Sequence, residues 1–361
     1  VNPLDMESWE AGFGKLYRQV IGDGVMTVMS AHIALPAFVR SLLPDAGREA
    51  VRPAGGLHLH RDRDFASRRY SFQPAAGVII TPELRSYVPE IIFSPDNIGG
   101  DAGYTLRDVT DPSDFFTADM QVSAGYVSAE AELLTGLRVT GGVRYEDSEQ
   151  QVNSFVPLGE TGAGDAISAR LAKDYWLPAV TATWEFADNM QLRFGYSQTI
   201  NRPDLRELSN ALFLDDDSNT LERGNPNLQI AEIQNYDLRW EWYFAQRQSA
   251  TIGLFYKSFD NPIERTYQPI GEGFGRSFQN AEEATLMGVE AEVDYTLPMD
   301  QWAPNARWFD ENQLFVVANV TWTDSEVTDA PYTRALQGQS EWLGNLQFGF
   351  ENTTARRRAT L

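Results

Sequence analysis

The sequence predicts a mainly β protein, a partial transmembrane antiparallel β-barrel preceded by a short α/β segment. Three observations predict it. The first is alternation. In MQLRFGYSQ (190–198), Leu192, Phe194 and Tyr196 fall on one side and Gln191, Arg193 and Gly195 on the other. A period of two over nine residues belongs to a strand, and a uniformly apolar strand face needs an apolar environment to cover it. The second is an asymmetry of connections. Asp188 and Asn189 alone join TATWEF (181–186) to the strand above, whereas NRPDLRELSNALFLDDDSNTLERGNPNLQ (201–229) precedes the returning strands YDLRWEWYF (236–244) and SATIGLFYKSF (249–259). The third is that no stretch approaches eighteen uninterrupted apolar residues, so a membrane would be crossed by strands and not by helices. A large soluble β-sandwich explains the alternation but not strands of this length.

Composition narrows the function classes. Of 361 residues, 42% are hydrophobic and 12% aromatic, with nine Trp and fourteen Tyr, which is too apolar for disorder and rich in residues that settle at a membrane interface. A formal charge of −22 argues against nucleic-acid binding. Zero Cys removes disulfides and thiolate metal sites. No catalytic residues, no cofactor and no dedicated metal site are expected. No secretory leader is visible at residue 1, so the chain is expected to be a portion of a longer protein.

Residues 1–54 differ in character from the rest. Trp9, Phe13, Leu16 and Val20 recur at helical spacing, Gly22 and Gly24 end that helix, and VMTVMSAHI (25–33) reads as a buried parallel strand. Residues 55–118 read as an irregular region with the first short strands. RDRDFASRRYSFQP (61–74) mixes charges of both signs with aromatics, GVIITPELRSYVPEIIF (77–93) offers one or two strands, and residues 94–118 are rich in Gly, Asp and Pro and read as loop. From 119 to 361 the alternation is regular. Residues 119–133 and 135–152 form a hairpin, with Leu137, Val139, Gly141, Val143 and Tyr145 opposite Arg138, Thr140, Gly142 and Arg144. Further strands lie at 175–186, 285–298, 311–327 and 340–352, and another begins near 355–361. Glu290, Glu292 and Asp294 alternate with Val289, Ala291, Val293 and Tyr295, which suits a hydrated lumen opposite lipid.

Two resemblances refine this reading. The stretch VIGDGVMTVMSAHIALPA (20–37) looks like a piece of a family 3 glycoside hydrolase, which would place His32 near a sugar-binding strand end. The nucleophilic Asp of that family is not found, and one helix with one strand cannot hold the two carboxylates such chemistry needs. His32 is therefore expected to be a strand-end residue without a catalytic role. From about residue 60 to 361 the chain resembles the barrel domain of a TonB-dependent outer-membrane receptor. The segments that carry this are GLRVTGGVRYE (136–146), residues 177–208, GNPNLQIAEIQNYDLRWEWYF (224–244), GLFYKSFDNPIERT (253–266), residues 278–295 and ALQGQSEWLGNLQFGFE (335–351). The resemblance implies a 22-stranded barrel in the outer membrane of a Gram-negative bacterium, with about eleven or twelve of those strands present here. It also implies uptake of a small extracellular substrate, a carbohydrate or oligosaccharide, energised by TonB through a plug. Neither plug nor TonB box is found in this sequence, and the barrel portion is expected to be truncated at its C-terminus. The alternative is a non-functional fusion of a hydrolase piece with a receptor piece.

Within the long excursion, Phe213, Asp215, Asp216, Asp217 and Arg223 are the candidate substrate-loop residues, because long loops on a rigid scaffold carry binding groups. The three consecutive carboxylates lack the spacing of a calcium loop. GNPNL (224–228) reads as a structural turn, and Trp240, Trp242 and Tyr243 as interface anchors or a wall patch.

Overall fold

The computed structural model describes residues 25–32, 53–75, 91, 94–95, 103–215, 220–245, 248–270, 273–302, 308–329, 331–352 and 357–360. In chain order the strands are β1 (Val25–His32), β2 (Pro53–Ala66), β3 (Tyr70–Pro74), β4 (Tyr104–Asp108), β5 (Phe115–Leu134), β6 (Leu137–Phe155), β7 (Ala166–Ala187) and β8 (Met190–Asn201). They continue as β9 (Leu212–Asp215), β10 (Thr220–Arg223), β11 (Ala231–Ala245), β12 (Gln248–Asp260), β13 (Ile263–Ile270), β14 (Gly273–Asn280), β15 (Glu283–Thr296), β16 (Asn312–Asp329), β17 (Tyr332–Arg334), β18 (Trp342–Asn352) and β19 (Arg357–Thr360). Two single-turn helices, α1 (Met299–Trp302) and α2 (Trp308–Glu311), sit between β15 and β16. No helix among the described residues is long and apolar enough to cross a membrane.

One antiparallel wall runs β1-β2-β5-β6-β7-β8-β11-β12-β15-β16-β18-β19, with β17 paired onto β16. The expected count of strands and the mainly β, partial-barrel architecture are present. Each wall strand pairs with the next in the chain, and the excursions between them leave the wall without changing its order.

Register explains the alternation. Phe194, Leu238, Leu254, Val289 and Trp322 are successive cross-strand partners and form one apolar row across five strands. Phe194, Leu238, Leu254 and Val289 are all exposed, as the outward side chains of a lipid-facing wall are. Aromatics bound this row above and below. Tyr196, Tyr236 and Tyr256 line up with ring centroids 5.0 and 6.2 Å apart, and Tyr145 meets Trp176 at 4.9 Å. At the other end Trp240, Trp242, Phe244 and Tyr295 form a chain of neighbouring rings. From Tyr236 to Phe244 the strand rises about 27 Å, close to an apolar band of about 25 Å. Trp240 and Trp242 are thus outer-face anchors, as expected. Tyr243 is not: it points to the inner face, where its hydroxyl donates to Glu241. Adjacent strand residues cannot share a face.

The longest wall strands outrun the membrane. β5, β6 and β7 contain 20, 19 and 22 residues, against about 9–11 needed to span. Beyond Tyr145 and Trp176 the outer face changes from apolar to charged, with Asp147 opposite Asp174 and Glu149 bonded to Arg170 at 2.7 Å. This is where the wall leaves hydrocarbon.

Some boundaries differ from the expectation. β1 lies where a strand was expected, but it pairs antiparallel with β2, Val25 against His60 through His32 against Pro53, and is not part of a parallel unit. An antiparallel partner extends the existing ladder directly, whereas a parallel one needs a crossover. The helix expected at 7–20 and the strands expected in 77–93 lie outside the described residues, apart from isolated positions. β2 is a full wall strand of fourteen residues paired with β5, and β4 occupies part of the expected loop by pairing with β3.

Most of the buried apolar residues lie at the long-connection end. Leu205, Leu208, Ala211, Phe213 and Leu228 from the 202–230 excursion pack with Phe116, Val152, Ala169 and Phe278. The excursion is guided there by the inner face of β6, whose residues 146, 148, 150, 152 and 154 are all buried. Glu146 accepts from Arg202 at 2.6 Å and Arg144 at 2.5 Å. Ser148 accepts from Arg202 at 3.2 Å, Gln150 donates to the Pro203 carbonyl at 3.0 Å, and Ser154 accepts from the Asn210 N–H at 3.0 Å. Asp204 and Glu207 form a capping box on the turn that follows: Asp204 accepts from the Arg206 N–H and Glu207 from the Asp204 N–H, both at 2.9 Å.

Two outcomes test this architecture. Leu254→Arg places a charge in the lipid-facing row and is expected to destabilise the inserted chain by about 2–4 kcal/mol, whereas Thr251→Arg on the inner face is tolerated; urea titration of folding into vesicles measures both. Glu146→Gln leaves two partly buried guanidinium groups short of a counter-charge and is expected to lower stability by about 3 kcal/mol in the same titration, with fluorescence of the outer aromatic rows unchanged.

Candidate functional site

Five long connections leave the wall at one end: 67–114, 156–165, 202–230, 261–282 and 330–341. The turns at 135–136 and 188–189, expected for the two hairpins read from the sequence, lie at the other end, as does the longer connection 297–311 that carries α1 and α2. Gly136 makes the first of these turns at φ 79°, where a Cβ would stand 2.7 Å from the Glu185 carbonyl oxygen.

The long connections interlock. β13 and β14 form a hairpin that joins β10 in parallel at Arg276 and Glu222, and β10 pairs with β9, so two excursions share a four-stranded sheet outside the wall. Arg334 reaches Glu264 at 2.8 Å, tying 330–341 to this sheet. Asp111 accepts from the Leu158 N–H at 2.5 Å, tying 67–114 to 156–165.

GNPNL is the structural turn expected, and the structure shows why. A Cβ on Gly224 would lie 2.2–2.5 Å from the carbonyl oxygens of Arg206, Glu207 and Ser209, so only glycine fits against that turn. Asn225 donates from its side chain to the Phe278 carbonyl at 2.9 Å and accepts from the Asn227 N–H at 2.9 Å. Leu228 then enters the core at 1% exposure.

Between these elements lies a cavity of about 380 Å³ lined by Asn201, Arg202, Asp204, Glu207, Ile263, Arg265 and Phe278. Its charges balance: two guanidinium groups face two carboxylates, with one amide and an apolar strip of Ile263 and Phe278. Asp204 is also approached by Arg63 at 3.5 Å and Arg61 at 4.0 Å from β2. Arg265 lies 6.0 Å from the Phe278 ring centroid. Burial pushes the Glu207 carboxyl above its ordinary range; the Asp204 N–H and Arg265 oppose the shift, and Asp204 and Glu222 reinforce it. The set can offer paired donors and acceptors to a polar ligand without a net charge of its own.

The candidate residues from the sequence are not brought together here. Phe213 is 7% exposed, with Phe65 at 4.9 Å, Phe116 at 6.1 Å and the Arg206 guanidinium 4.1 Å over its ring. It fills the core and is not offered to a ligand, because an apolar ring beside other apolar rings is removed from water. Arg223 binds Glu160 through two nitrogens, the closer at 2.6 Å, and bridges two connections. The backbone of Asp215, at the end of β9, pairs with Thr220 of β10. Asp216 and Asp217 lie outside the described residues. The cavity residues Arg202, Asp204 and Glu207 were missed; their signal was the DLRE capping pattern, which marks an ordered turn inside the supposed loop.

Comparison with known proteins agrees with the fold. Residues 53–358 match the family described as TonB dependent receptor-like, β-barrel. The ferric-catecholate import receptor Fiu of E. coli K12 is 12% identical, with a TM-score of 0.52 over 91% of this chain and 42% of that one. The hemophore receptor HasR of Serratia marcescens, solved with its hemophore HasA and heme, is 11% identical, with a TM-score of 0.50 over 86% and 51%. This chain thus spans about half or less of the length of these receptors. A β-N-acetylglucosaminidase/β-glucosidase of Cellulomonas fimi is 43% identical over 53 residues, 15% of this chain and 9% of that protein. The antiparallel wall, its two contrasting faces and the match over 53–358 lead to one assignment: the chain belongs to the TonB-dependent receptor-like β-barrel family.

Proposed function

We propose that this chain supplies wall and external loops to an outer-membrane receptor that takes up a small carbohydrate with energy delivered by TonB through a plug. Family membership supports the transport reading, and the gathering of five interlocked long connections at one end, opposite the short turns at 135–136 and 188–189, supports taking that end as the outer one. The single observation that favours a carbohydrate is the charge-balanced cavity beneath the loops. Sugar hydroxyls each donate and accept, so paired carboxylate, amide and guanidinium groups beside an apolar strip match them, whereas an anionic chelate calls for an excess of positive charge. Residues 1–54 are read as a hydrolase-like segment attached to the receptor portion, a reading supported by the 53-residue glycosidase match and by a barrel-family match that begins at 53. They carry no enzymatic role in this proposal.

Binding measurements on the full chain in detergent test the assignment. A neutral oligosaccharide is expected to bind and to lose about tenfold or more in affinity in Arg265→Ala and in Asp204→Ala, since each removes a charged hydrogen-bonding group from the cavity lining. Binding of ferric chelates in its place, with the same two variants unaffected for sugars, would overturn the carbohydrate reading. In cells carrying the whole receptor, uptake is expected to stop when the proton-motive force is collapsed.

The Glu207 carboxyl gives a second test. Its raised value in the fold means that the folded loops bind this proton more tightly than the unfolded chain does. Its contribution is therefore complete below the ordinary glutamate value of about 4.3 and is lost as pH rises through the raised value. Protease resistance of the 202–230 excursion is expected to fall across that window in the unaltered chain and to be flat in Glu207→Gln.

A further inference from the structure

The outer face just above the upper aromatic row carries a group of side chains that uptake does not use. In β2 the run Arg61-Asp62-Arg63-Asp64 alternates, so both arginines turn inward, where they approach Asp204, and both aspartates turn outward. His58 and His60 share the outward face with Asp62 and Asp64. Across the ladder, Asp62 stands directly opposite Asp119 of β5. Like charges in direct cross-strand register repel, and neither arginine of the run is on this face to separate them.

His60 fills the gap. Its Nε2 lies 2.9 Å from one oxygen of Asp62 and its Nδ1 3.4 Å from one oxygen of Asp119. A single imidazole brings at most one positive charge against the two carboxylates. The site is therefore short of positive charge, and one donor atom from each of the three residues lies within 4.8 Å of the others. This level is outside hydrocarbon: His60 pairs with Gln121, and Gln121 with Glu149, two pairs above Tyr145. Asp62 is exposed, so an ion reaches it from water.

We propose that His60, Asp62 and Asp119 bind a first-row divalent transition ion of the Zn²⁺ class on the outer face of the wall. One imidazole nitrogen with two carboxylate oxygens suits Zn²⁺, while Ca²⁺ and Mg²⁺ favour sites made wholly of oxygen. The ion ties β2 to β5 where the strands emerge from the membrane. It is independent of the substrate cavity, which lies on the opposite face, and of the carbohydrate reading.

The test uses the full chain in detergent, without a histidine tag, stripped with a chelator and titrated calorimetrically with Zn²⁺. One equivalent is expected to bind, with affinity reduced by at least about tenfold in His60→Ala and in Asp119→Asn. His58→Ala serves as the comparison and is expected to change it far less. Unchanged binding in the first two variants, equal loss in all three, or displacement by equimolar Ca²⁺ would each overturn the site. Co²⁺ added to the unaltered chain gives a readout free of any folding defect. It is expected to broaden the His60 ring resonances ahead of those of His58, and equal broadening of both overturns the proposal.

Discussion

Hydrocarbon offers a peptide group nothing to bond with, and the rest of this structure depends on that constraint. Every wall strand must give its N–H and C=O groups to neighbours, so the strands pair in sequence order and stay in register over long distances. β6 and β7 remain aligned from Leu137 against Trp184 to Phe155 against Ala166 without a bulge. A slip by one residue would turn Arg138 and Arg144 to lipid and Val139 and Val143 to the interior, which fixes the pairing as firmly as the hydrogen bonds do.

The same alternation partitions the charge. On the inner face, carboxylates and guanidinium groups are close enough to neutralise one another: Glu241 receives Arg239 at 3.1 Å and Arg193 at 3.4 Å, and Glu146 holds Arg144 and Arg202. The two carboxylates are shielded from water and the value of these pairs lies in orientation, since a buried charge offsets much of its attraction through lost hydration. Glu146 illustrates the point. It sets the direction in which the chain leaves β8, and the apolar residues at 205, 208, 211 and 213 then reach a core that a floppy loop would never find.

Much of the wall was legible in the sequence because period-two alternation is a local property. The hairpin turns at 135–136 and 188–189, the lipid-facing rows and the structural role of GNPNL all follow from residues close together in the chain. What was not legible depends on partners far away. Nothing near Phe213 says that Phe65 and Phe116 will surround it, and nothing near Arg223 names Glu160. The excursion was read as exposed because it is polar on average, yet its apolar residues are spaced for one buried side of a capped turn. Tyr243 was grouped with Trp240 and Trp242 by chemistry, although strand geometry alone separates it from them. β1 shows the converse: its strand character was plain, and its partner was not.

The emergence of β5, β6 and β7 well beyond the lipid row has an evolutionary consequence. The segment that must satisfy the membrane and the segment that seats the 202–230 excursion, and through it the cavity, occupy different lengths of the same strands. Outer-face substitutions above Tyr145 and Trp176 can accumulate without disturbing insertion, and those below can drift among apolar residues without touching ligand chemistry. Such a division lets one wall design diverge in what it recognises while conserving almost nothing but its alternation, which is consistent with an alike fold in receptors only 11–12% identical to this chain.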